Sequence, residues 1–198
     1  VIFVEYRVER DSIGEINVPN DKLWGAQTQR SFENFQIGTE KIPKELIRVF
    51  AILKKAAAKV NGDLGLLDEE RVTAICVACE EIFQGKLDQH FPLAVWQTGS
   101  GTQFNMNVNE VISHRAREIL QKEGKILEVH PNDHINRSQS SNDIFPTSLH
   151  VSTFLLIKDI LFPAMDLLSK ALDEKAESFK DIIKIGRTHL MDATPLTL

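Results

Sequence analysis

The stretch LHVSTFLLIKDILFPAMDLLSKALDEKAESF, Leu149 to Phe179, decides the fold. Its apolar residues Phe154, Ile157, Leu161, Met165, Leu168, Leu172 and Phe179 recur at the spacing of one helix face, with polar residues between them. Pro163 lies inside the run, removes one backbone hydrogen bond, and predicts a kink there. A stripe of more than about five turns needs other long helices beside it, and few remain in 198 residues. The expected fold is therefore mainly α, with this segment as the start of a long-helix bundle whose partners come from further sequence or other subunits.

The upstream sequence predicts a smaller helical domain. Val4 to Val8 and Glu15 to Val18 look like two short strands around Asp11-Ser12-Ile13-Gly14, a short β-hairpin. Pro43 suits a helix start, and Leu46, Val49, Phe50, Leu53, Ala57 and Val60 give an apolar face as far as Gly62. Asp68 is a candidate N-cap for a helix that buries Val72, Ile75, Cys76, Cys79 and Ile82 and ends before Gly85. A further helix is expected from Phe104 to about Lys122. The polar connector Gly124 to Asn136 sets the expected boundary, giving an N-terminal helical domain over 1–138 and the truncated start of the bundle over 139–198. Thr194 to Leu198 stop without a closing signal, so the sequence reads as cut.

Composition excludes several classes. A hydrophobic content of 42% supports a core, and 23 basic against 28 acidic residues, with no basic run, argues against a nucleic-acid partner. The apolar stretches are too short to span a bilayer and none reads as a signal peptide, so a cytoplasmic location is expected, or a mitochondrial matrix one in a eukaryote. Cys76 and Cys79 stand on one helical pattern without a second Cys/His pair at zinc spacing, so they read as small buried side chains and no metal is expected.

Three polar segments carry the chemistry. Gln97-Thr98-Gly99-Ser100-Gly101-Thr102-Gln103 leads into a helix N-terminus, where free N–H groups and hydroxyls suit an anion, although Ser100 and Thr102 could simply cap that helix. Ser138-Gln139-Ser140-Ser141-Asn142-Asp143 puts adjacent donors at the start of the long helix, where Ser141 or Asn142 as an N-cap would explain one polar residue but not the run. Gly186-Arg187-Thr188-His189 follows an extended stretch, and an imidazole with an ordinary pKa near ~6.5 beside anion-binding groups suits proton transfer. Together they point to acid/base chemistry on a small dicarboxylate. His130 and His134 have metal-ligand spacing, but Pro131 and Asn132 favour a loop over the required helix, and an accessory anion site there is the better reading.

Trp96 to Glu110, His130 to Asp143, Gly186-Arg187-Thr188-His189 and Trp24-Gly25-Ala26-Gln27-Thr28-Gln29-Arg30 resemble the class II fumarate hydratases of the fumarase/aspartase superfamily over essentially the whole chain. Aspartate ammonia-lyases share the scaffold but typically have Gln at His189 and Ser-Thr-Asn at Ser140-Ser141-Asn142, which favours fumarase. The resemblance implies cofactor-free and metal-independent reversible trans hydration of fumarate to L-malate, in a homotetramer whose sites are shared between subunits. It implies that Thr102, Ser140, Ser141, Asn142 and Thr188 hold the dicarboxylate, supported by Ser100. His189 would position or activate water, and His130, Asn132 and Asp133 would form a secondary anion site. The family's Gly-Ser-Ser loop, source of the proton-abstracting serine, and the Glu that partners the histidine lie beyond this sequence, so these residues alone are expected to be inactive. Met191 departs from the Gln usual after His-Leu. The alternatives are a carbon–nitrogen lyase acting on aspartate or a related succinyl compound, and a non-catalytic truncated or oligomerisation domain.

Overall fold

The computed structural model describes residues 5–98 and 100–198. By its internal contacts the chain divides into two compact units, one ending at Ser152 and one spanning Thr153–Leu198. The division falls inside a helix that the sequence reading gave wholly to the second domain.

The first unit begins with an antiparallel hairpin, β1 (Tyr6–Asp11) and β2 (Gly14–Pro19), in which Asp11 faces Gly14 across a two-residue turn. Asp11 Oδ1 accepts the Ile13 and Gly14 N–H groups, which is why Asp stands where the chain reverses. The first strand starts and ends later than the spacing suggested, the second is one residue longer at each end, and Val4 of the expected first strand lies outside the described residues. Arg7 ties the hairpin down by donating to the carbonyls of Pro19, Lys22 and Trp24.

Four helices follow: α1 (Ala26–Asn34), α2 (Lys44–Asp63), α3 (Glu69–Phe83) and α4 (Thr102–Lys122). Asp68 caps α3 as expected, its Oδ1 accepting Arg71 N–H at 2.9 Å. Cys79 is buried and Cys76 half-buried, both as free thiols. The α2 face differs from the expected one. Leu46, Val49 and Phe50 are buried, but Lys54 and Asn61 continue that face, whereas Val60 is 54% exposed. The core between these helices is built on Phe50, Ile75, Ile82, Phe104, Val108 and Ile112. Phe50 and Phe104 meet edge to face with centroids 4.9 Å apart.

After α4, Pro131–Ile135 closes one wide helical turn where a loop was expected. Helix α5 (Ser141–Leu156) then begins, and Ile144, Ser148 and Ser152 are its buried residues. In the second unit the wide turn Ile157–Leu161 is followed by α6 (Phe162–Phe179), which has Pro163 in its first turn. A widened turn before the proline accommodates its missing N–H without abandoning the helix. No residue of α6 is buried, and Met165, Leu168 and Leu172 are all more than half exposed. The unit ends in a second antiparallel hairpin, β3 (Ile183–Thr188) and β4 (Met191–Thr197). Its register slips at Gly186, where a Cβ would stand 2.8 Å from the Thr194 carbonyl oxygen. Among the described residues, no helix is long and apolar enough to cross a membrane.

Candidate functional site

Two of the three polar segments meet in the first unit. Gly101, at φ +72°, turns the chain into α4, and a Cβ there would lie 2.4 Å from the Phe145 ring of α5. Glycine thus supplies both the left-handed backbone and the close approach that bring the N-termini of α4 and α5 together. Gly99, the other glycine of that loop, lies outside the described residues.

The hydroxyls on these two N-termini share one arrangement. Ser100 Oγ accepts Thr102 N–H at 3.4 Å, and Ser140 Oγ accepts Asn142 N–H at 3.2 Å. Ser141 Oγ accepts an amide N–H from Asn105 of α4 at 2.8 Å. For Ser140 and Ser141 the protein only donates to the oxygen, so the hydroxyl hydrogen remains available to a ligand, whereas Ser100 Oγ also lies 3.0 Å from Thr98 Oγ1 and either hydroxyl can donate in that pair. Ser100, Thr102, Ser140 and Asn142 are exposed and Ser141 half-buried. Ser140 is the cap of α5, because its carbonyl accepts Ile144 N–H at 2.9 Å and its side chain accepts from the first turn. The residues singled out for that role from sequence, Ser141 and Asn142, are free of it.

A buried polar network underlies this cluster. Asn136 Oδ1 accepts from Lys54 Nζ at 2.9 Å, Asn105 Nδ2 at 3.2 Å and Asn109 Nδ2 at 3.3 Å. Asn61 Nδ2 donates to the Arg137 carbonyl, and Asn136 Nδ2 to that of Gln139, so the segment entering α5 is fastened from beneath. Lys54 is 1% exposed, and burial lowers its pKa to about 7. These residues were missed as functional candidates. The available signal was Asn105, Asn107 and Asn109 inside one helix, since Asn is a poor helix former and its repetition there needs a reason.

Accessory residues open onto a cleft. A cleft of about 690 Å³ is lined by Gln27, Thr102, Glu110, Arg117, His130 and Asn132, among others. Thr102, from the first segment, and two of the three secondary-site residues therefore share one cleft. Its floor includes Glu110, whose carboxylate accepts the N–H groups of Gly25, Gln27 and Thr28 and so caps α1 from a distant helix. Burial pushes that carboxyl upward in pKa despite these bonds. His130 Nδ1 accepts the Asn132 and Asp133 N–H groups, and His134 Nδ1 accepts His130 N–H at 2.7 Å. Backbone N–H groups are obligate donors, which assigns the His130 ring proton to Nε2 in the neutral form. Among the described residues, no three His, Cys, Asp or Glu side chains are grouped as a metal site.

Thr188 and His189 belong to the second unit. Thr188 ends β3, and His189 and Leu190 form the hairpin tip at φ +49° and +61°. Two consecutive positive values fit a tight primed turn that favours Asn-Gly, so bulky residues there carry strain. Both side chains are exposed, and Arg187 pairs with Asp192 at 3.1 Å rather than standing free.

A family model described as Lyase matches residues 14–198. The chain is 60% identical over 195 residues to the class II fumarate hydratase of Bacillus anthracis, covering 98% of this chain and 42% of that protein. It is 58% identical over 197 residues to the class II fumarate hydratase of Thermus thermophilus, again with 98% and 42% covered. The crystal structure of the class II fumarase from Schistosoma mansoni superposes with a TM-score of 0.91 at 44% identity, covering 98% of this chain and 41% of that one. The chain thus spans less than half the length of these relatives.

Proposed function

This chain belongs to the lyase family, and from that premise we propose that it forms part of a class II fumarate hydratase catalysing reversible trans hydration of fumarate to L-malate. The observation that carries the reading is the shared state of Ser140 and Ser141, each accepting from the protein and so able to donate to a carboxylate. Neutral donors at two helix N-termini bind a dianion without neutralising it, and leave its charge free to shift when a C–H proton is removed.

In this reading Thr102, Ser140, Ser141, Asn142 and Thr188 hold the dicarboxylate, with Ser100 in support. A base removes the C3 proton of malate. The donors stabilise the resulting aci-carboxylate, and hydroxide leaves from the opposite side with a proton routed past His189, which positions or activates water in the reverse direction. His130, Asn132 and Asp133 form a secondary anion site. The working enzyme is a cytoplasmic homotetramer that shares each site between subunits and needs neither metal nor cofactor. Residues 1–138 form its first helical domain and 139–198 the start of its bundle. The uncovered apolar side chains of α6 support the bundle, since a soluble helix gains little stability without burying such a face.

The test is to follow absorbance of the conjugated double bond with fumarate, malate and aspartate, using a polypeptide that carries this sequence at the length of its relatives. Hydration without deamination is expected. Deamination of aspartate alone would replace the reading with a carbon–nitrogen lyase, and inactivity on all three would favour an assembly role. The 198-residue chain alone should show no turnover; hydration by it would refute the need for residues outside this sequence.

A further inference from the structure

Among the described residues, Lys54 is a cation without a carboxylate partner. It lies on the face of α2 that packs into the first unit, its sole hydrogen bond among the described residues goes to Asn136 Oδ1, and Asn105 joins Asn136 to Ser141. The other groups facing it are neutral. Asn105 and Asn109 come from α4, and the α3 side offers Cys79, whose buried thiol is pushed far upward in pKa and stays protonated. A buried unpaired ammonium is costly, and packing alone would be served better by Met or Leu.

We propose that Lys54 is a positioning residue for the dicarboxylate site: through Asn136 and Asn105 it fixes Ser141 with its hydroxyl hydrogen outward, and it supplies the uncompensated positive charge that a bound carboxylate meets.

The proposal rests on the reading that Ser140 to Asn142 bind a carboxylate. Its chemistry is reciprocal: an anion bound above the network favours the ammonium, so binding raises the pH at which Lys54 loses its proton, and loss of that proton weakens binding. With the free residue titrating at about 7, affinity for a dicarboxylate falls as pH rises above that point.

The experiment uses the relative-length polypeptide and its Lys54→Met and Lys54→Arg variants, with fumarate kinetics and succinate titration calorimetry from pH 6 to 9. Lys54→Met leaves Asn105 and Asn109 donating to Asn136, so the network survives without the charge. The expected result is a roughly tenfold rise in KM and in the succinate Kd below pH 7, as for one unit charge removed at this range. The rise in KM with pH should vanish in this variant, kcat should change little, and Lys54→Arg should recover most of the affinity. NMR of Cε-labelled lysine in the parent needs no variant, and should show the Lys54 midpoint moving up when succinate binds. Unchanged KM, Kd and pH profile in an active Lys54→Met protein would overturn the proposal and leave the hydratase reading intact, as would an unmoved midpoint in a parent that binds succinate. A parent that neither hydrates fumarate nor binds succinate would overturn both.

Discussion

Replacing Gly101 with alanine adds one methyl group at the point where α4 and α5 meet, and its cost has two separable parts. At φ +72° the left-handed backbone costs an alanine about 1–2 kcal/mol. The new Cβ would also stand 2.4 to 2.6 Å from three atoms of the Phe145 ring, which must retreat by about an ångström to reach ordinary contact. That ring has little room, because it packs at 6.1 Å from Phe50 and 6.5 Å from Phe104, both fully buried. Overpacking of this kind costs about 1–3 kcal/mol, so the total is about 2–5 kcal/mol. Urea unfolding followed by Trp24 fluorescence reads it, since Trp24 is the buried tryptophan of this unit and Trp96 is 57% exposed. The midpoint should fall by about 1–2 M. In a Phe145→Ala background the same substitution should cost only the backbone part, which a double-mutant cycle isolates. A midpoint shift below about 0.3 M for Gly101→Ala, or an equal penalty in both backgrounds, would refute the claim that glycine is needed here for close approach.

Three further outcomes follow from particular contacts. Leu190→Gly relieves one of two strained positions at the β3–β4 tip and should raise hydrogen-exchange protection of the Thr188 and Met191 amides by about 1 kcal/mol, with reduced protection counting against the turn assignment. Glu110→Gln puts an NH2 against a backbone donor of α1, because both carboxylate oxygens already accept N–H groups, and should cost about 1–3 kcal/mol in urea unfolding; a parent-like midpoint would argue against this cap. Burial would raise Glu9, but hydrogen bonds from His114 and Arg7 outweigh it and hold its pKa at about 2, below the ordinary 4.5. The stability it contributes is therefore complete above pH 4.5 and lost as pH falls toward 2, and in Glu9→Gln that part of the acid-unfolding limb should flatten.

The elements most legible in the sequence are those whose signal is local. Asp68 as a cap and Gly85 as a stop depend on one or two neighbours, and α3 begins and ends where they indicate. The buried face of α2 was not legible past Phe50, because Lys54 and Asn61 look like surface residues until a partner such as Asn136 is known, and moving them inward turns Val60 outward. The wide turn at Pro131 was hidden for a similar reason. His130 and His134 satisfy backbone N–H groups within the turn, a local use that spacing alone could not tell apart from ligand binding. In the candidate site, the motifs marked where hydroxyls cluster, but which of their lone pairs the protein occupies depends on Asn105, a residue one turn inside a helix of which the sequence reading used the N-terminus.

The two units prepare their polar groups in different ways, and the difference bears on how a site could be completed. In the first unit, donors are held by satisfied contacts: each serine oxygen already accepts, and Asn105 and Asn109 behind Ser141 are fully buried. In the second, His189 is held by a hairpin whose tip is strained and exposed and whose helix buries no residue of its own. Strain persists only where surrounding structure over-determines it, and a largely uncovered unit lacks that surrounding structure. The apolar face of α6 and the strained tip therefore call for the same remedy, further helices packed against this unit. If the proposed assembly supplies them, ordering of the imidazole is coupled to assembly while the serine cluster stands ready in the single chain. Succinate should then bind the isolated 198-residue chain weakly, through the serine cluster, and His189→Asn should leave that weak binding unchanged while abolishing turnover in the assembled enzyme. Calorimetry on the isolated chain tests this, and weakened succinate binding in its His189→Asn variant would show that the imidazole already serves the site before assembly.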